Sequence, residues 1–77
     1  MSRPQPRRVT VDVVPCRIRL LILWFGDQEA RDWLQHEAPA YGKFVQAGTR
    51  EYALIVESRF DLNDVAAYLR EPPDPLL

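Results

Sequence analysis

Residues 20–25, Leu-Leu-Ile-Leu-Trp-Phe, are the longest uninterrupted apolar run in the chain. A run this short falls well below the roughly 20 residues that a helix needs to cross a bilayer, so no membrane partner is expected. It is apolar at odd and even positions alike, which is the pattern of a strand in the middle of a sheet with both faces covered. The rest of the chain has to supply its neighbours and its cover.

Extended backwards, residues 16–25 read as one strand, with Ile18, Leu20, Ile22 and Trp24 on one side and Arg17, Arg19, Leu21, Leu23 and Phe25 on the other. Residues 8–14, Arg-Val-Thr-Val-Asp-Val-Val, alternate so that Val9, Val11 and Val13 share a face, the signature of a half-buried strand. Pro15 stands between the two and makes a poor two-residue hairpin turn, so residues 8–25 are either two strands or one long bent strand. Gly26 ends the run, and Asp27 is placed to cap a helix whose apolar residues Ala30, Trp33, Leu34 and Ala38 recur until Pro39. Residues 43–47 and 51–57 are two further strands joined at Gly48, Thr49 and Arg50, a length that suits a hairpin with a bulge. A second helix starts at Asp61, with Asp64 at the third helical position and Phe60 and Val65 at the two staple positions, and runs to Arg70.

The order β-β-α-β-β-α, with two one-sided helices, predicts an α+β two-layer sandwich in which both helices cover one face of a mainly antiparallel four-stranded sheet. Moving the first strand to the end would give β-α-β-β-α-β, so the arrangement resembles a permuted ferredoxin-like topology, an analogy of shape that implies no function. With 77 residues, 47% of them hydrophobic, there is material for one core. Of seven prolines, five lie at the ends, which sets a single domain at residues 8–70 between a flexible Arg/Pro-rich tail at 1–7 and a flexible Pro-rich tail at 71–77. The basic N-terminal stretch lacks a clean apolar segment and a cleavage site, so no signal peptide is expected, and a lone Cys16 offers no internal disulfide. A cytoplasmic location follows as the default.

Function is approached through what a two-layer fold leaves uncovered. If the Ile18 set faces the helices, then Arg17, Arg19, Leu21, Leu23 and Phe25 occupy the open face, and three large apolar side chains there mark a partner-binding surface, for another protein or for a second copy in a homodimer. Net charge is −1, but residues 1–26 carry five arginines against one acid, and residues 27–77 carry five bases against ten acids. Arg3, Arg7 and Arg8, with Arg17 and Arg19, could meet an acidic partner or nucleic acid, and aromatics such as Trp24, Phe25 and Tyr52 could stack bases. A sequence pI near 5.7 and the absence of an RNP-type motif argue against the nucleic-acid alternative.

No catalytic constellation is expected, and neither a cofactor nor a metal. Asp32 and His36 lie one helical turn apart but lack a nucleophile or further ligand nearby in sequence, and Cys16 reads as an inert thiol packed in the sheet. Asp61, Asn63 and Asp64 resemble the start of a calcium loop, yet the glycine and closing glutamate of such a loop are missing, and capping accounts for Asp61. The expectation is therefore a small non-enzymatic protein-binding module that regulates or inhibits a larger assembly. Its size and lack of motifs suit a phage or mobile-element inhibitor of the anti-CRISPR or another anti-defence type, and a nucleic-acid accessory factor is the alternative.

Overall fold

The structure, a computed structural model, describes residues 9–70. Strand β1 (Val9–Val14) is followed by β2 (Leu20–Phe25), helix α1 (Gln28–Glu37), a 3-10 turn (Ala38–Ala40), strands β3 (Gly42–Gly48) and β4 (Glu51–Val56), and helix α2 (Leu62–Arg70). The four strands form one sheet in the order β1-β2-β4-β3, with every neighbouring pair antiparallel. The expected α+β sandwich is what the chain adopts. Strands β2 and β3 run parallel with β4 between them, so α1 is the crossover of a split β-α-β unit, and the strand order agrees with the permuted topology.

One open alternative is resolved, and one strand boundary differs from expectation. Residues 8–25 do not form one bent strand: β1 and β2 pair along their whole length, from Val9 opposite Phe25 to Val14 opposite Leu20. The connection between them is a loop over residues 15–19, longer than a tight turn, so β2 begins at Leu20 and not at Cys16. The proposed tails at 1–7 and 71–77, and Arg8 at the head of the first strand, lie outside the described residues.

Both helices start where their carboxylates indicated. Asp27 is extended (φ −152°) and its Oδ1 accepts from the Ala30 N–H at 2.8 Å; Asp61 Oδ1 accepts from the Asp64 N–H at 2.9 Å. Each bond satisfies an amide that the first helical turn leaves without a partner. Pro39 ends α1 but fits the 3-10 turn, where it stands within the first two positions and no N–H is required of it. The hairpin of β3 and β4 carries the expected bulge, between Gln46 and Gly48. At its other end Gly42 lies so close to β4 that a Cβ there would overlap the Ile55 carbonyl oxygen and sit 2.9 Å from its carbon.

The core lies between sheet and helices. Val9, Val11, Leu21, Leu23, Phe25, Tyr52, Leu54 and Val56 from the sheet meet Ala30, Leu34, Ala38, Val65, Ala66 and Leu69 from the helical layer. Tyr52 stacks on Phe25 with centroids 5.2 Å apart and lies 4.5 Å from Phe44, and its buried hydroxyl accepts from Gln35 Nε2 of α1 at 2.8 Å. A second aromatic chain, Trp33, Tyr68, Tyr41 and Phe60, runs half-buried along the helical side with successive centroids 5.1–6.0 Å apart.

Candidate functional site

Strand β2 turns its faces the opposite way from the sequence reading. Leu21 and Leu23 are 0% exposed and Phe25 is 9% exposed, all on the helix side, so none of the three forms an open partner-binding surface. The neighbouring strands set this phase. Val9 and Val11 of β1 stand opposite Phe25 and Leu23, whereas Thr10 and Asp12 stand opposite Trp24 and Ile22. Turning Leu20, Ile22 and Trp24 inward would therefore have carried Asp12 inward with them, and from β4 it would have carried Glu51. Burying two carboxylates without partners costs far more than leaving aliphatic groups half-exposed.

The arginines part company as well. Arg17 is exposed in the loop of residues 15–19. Arg19 is turned toward the connection between β4 and α2, where its Nε donates to the Val56 carbonyl at 3.3 Å and its Nη2 donates to the carbonyls of Glu57, at 3.3 Å, and Phe60. The guanidinium thus holds that connection in place and belongs to the scaffold. Arg3, Arg7 and Arg8 lie outside the described residues.

The open face is consequently built from the other half of each strand. Across the sheet from β1 to β3 it presents three rows: Thr10, Trp24, Glu51 and Gly48; then Asp12, Ile22, Ala53 and Val45; then Val14, Leu20, Ile55 and Lys43. Trp24 is 36% and Val45 45% exposed, and Val14, Leu20, Ile22, Ala53 and Ile55 are half-buried. A contiguous apolar field thus runs over β2 and β4. Its charged members stand at the margin or end: Asp12 on edge strand β1, Lys43 on edge strand β3, and Glu51 beside Trp24.

Among the described residues, this placement separates Arg17 from the aromatics that a nucleic-acid face would need beside it. Phe25 and Tyr52 are core residues, and Trp24 stands at the far end of β2 from the 15–19 loop, about 13 Å of strand away from Leu20. The chemical candidates are equally dispersed. His36 is exposed, with Nε2 3.8 Å from Glu37 Oε2, while Asp32 accepts from Gln28 Nε2 at 2.8 Å. Cys16 is exposed in the loop and not packed in the sheet, its thiol donating to the Ile18 carbonyl at 3.2 Å. Among the described residues no group of three or more His, Cys, Asp or Glu is placed to hold a metal ion, and no helix is long and apolar enough to cross a membrane.

The field on β2 and β4 was hidden in the sequence because residues 20–25 are apolar at every position. The signal that would have found it is Asp12, whose charge fixes which face of the first hairpin meets solvent. Comparison of the chain with protein-family models, with curated proteins and with solved structures gave no match in any of the three.

Proposed function

We propose that this chain is a non-enzymatic protein-binding module that docks on another protein surface through its open sheet face, centred on Ile22. The observation that carries the reading is the apolar field of Leu20, Ile22, Trp24, Val45, Ala53 and Ile55, on the side of the sheet opposite the helices. A contiguous apolar surface rimmed by charge is what a protein interface presents, with a tryptophan as a common anchor. Regulation or inhibition of a larger assembly, in the manner of a phage or mobile-element anti-defence protein, is the finer form of this proposal and rests on size and motif content alone.

The test is site-specific photocrosslinking in the native cell, with a photoreactive residue at Val45 on the face and, as control, at Glu29 on the exposed side of α1. Protein adducts from Val45 and none from Glu29 support the reading. Nucleic-acid adducts from Val45, or no adducts from it, overturn it.

A further inference from the structure

Resting on that docking reading, we infer that the occupant of the open face is a second copy of this chain, apposed face to face about a two-fold axis that runs parallel to the strands. The edges of the face carry opposite charges: Asp12 on β1 and Lys43 on β3, the two outer strands of the sheet. A two-fold axis along the strands lays the β1 edge of each copy over the β3 edge of the other. Asp12 then stands above Val45 of the second copy, with Lys43 of that copy one row away, about 7 Å along the strand and within a lysine's reach. Because the operation is symmetric, the pair forms twice.

The same axis sets Ile22 over Ala53 and Leu20 over Ile55 of the other copy, closing apolar on apolar. It also brings the indole N–H of each Trp24 toward the Glu51 carboxylate of the other copy, a donor facing an acceptor. A two-fold axis running across the strands would stack each edge on itself. Asp12 would then oppose Asp12 of the second copy, a like-charge contact that disfavours the arrangement. The charge pattern therefore selects one of the two simple face-to-face geometries.

The dimensions fit a weak, reversible dimer. Four strands about 4.8 Å apart and three rows about 6.8 Å deep give a face of about 19 by 20 Å. Two apposed copies cover about 800 Å² before side-chain relief is added, close to the ~1,000 Å² at which specific interfaces begin. An interface of about half the standard size belongs with weak, transient contacts, at or beyond the micromolar end of the range that standard interfaces span.

Sedimentation equilibrium of the full chain, from about 1 µM to 1 mM to cover that weak end, tests the inference with four variants whose fold is checked by circular dichroism. The expected result is a monomer–dimer equilibrium that Ile22→Asp weakens at least ~100-fold and that Asp12→Lys or Lys43→Asp alone weakens about ten-fold. The double variant Asp12→Lys/Lys43→Asp should return to within about three-fold of the parent. A chain that is monomeric throughout overturns the inference, as does a dimer that Ile22→Asp leaves intact, and failure of the double variant to recover overturns the axis. A monomer whose Val45 position still crosslinks a different protein overturns self-association and leaves the docking reading standing. A monomer with no crosslink overturns both.

Discussion

Replacing Leu23 and Ile22 separately by alanine measures the phase of β2 directly. Both substitutions delete three side-chain carbons, worth about 2.4 kcal/mol of transfer free energy when those atoms are fully buried. Leu23 is 0% exposed; with the cavity left behind, Leu23→Ala is expected to cost roughly 3–5 kcal/mol. Ile22 is half-buried on the open face and leaves no closed cavity, so Ile22→Ala should cost about 1 kcal/mol. A domain of this size has a total stability of about 3–9 kcal/mol. At roughly 4–8 °C per kcal/mol, Leu23→Ala should lower Tm by about 12–40 °C or unfold the chain, against about 4–8 °C for Ile22→Ala. Melting followed by circular dichroism at about 1 µM, the bottom of the range tested for self-association, limits its part in the comparison. The pair Leu21→Ala and Leu20→Ala repeats the experiment one step along the strand. An equal loss from both members of a pair, or a larger loss from Ile22→Ala, would refute the assignment of faces and with it the docking surface.

Gly42→Ala should destabilise the chain by at least about 2 kcal/mol in urea denaturation, because its methyl group meets the Ile55 backbone and not a movable side chain. Arg19→Ala should cost about 2 kcal/mol and speed amide exchange around residues 57–61, since it removes a charged donor to three carbonyls, whereas Arg17→Ala should stay within about 0.5 kcal/mol of the parent. Equal effects of the two would return Arg19 to the exposed surface.

The fold was legible because its local signals agree. Asp27 and Asp61 begin the helices they mark, Pro39 ends the first, and the Gly48 turn joins the strands on either side of it. Strand phase in β1 was legible too, since Thr10 and Asp12 alternate with Val9 and Val11. In β2 the alternation carries no polar marker, and residues 16–19, whose arginines would supply one if they continued the strand, form a loop, so the segment alone leaves its phase open. Only the pairing of β2 with β1 sets it, and pairing is a relation between segments that a periodicity within one segment does not contain. Arg19 shows the same limit. Its carbonyl partners lie 37–41 residues further along the chain, so its place in the scaffold is a property of the assembled loop.

The strand order β1-β2-β4-β3 also divides the sheet into two hairpins of neighbouring strands, joined by one seam between β2 and β4. Each hairpin closes a short loop, while the seam brings together segments about thirty residues apart and is the slow, entropically costly contact. Folding should therefore proceed by early formation of β1-β2 and β3-β4 and a later docking step in which Leu21 meets Leu54 and Leu23 meets Tyr52. The seam is bounded by two backbone bonds, Val56 N–H to the Arg19 carbonyl at 2.8 Å and Phe25 N–H to the Arg50 carbonyl at 3.2 Å. The apolar field of the open face is assembled across this same seam. The proposed docking surface thus comes into being only when the last long-range step is complete, and partly folded molecules lack it.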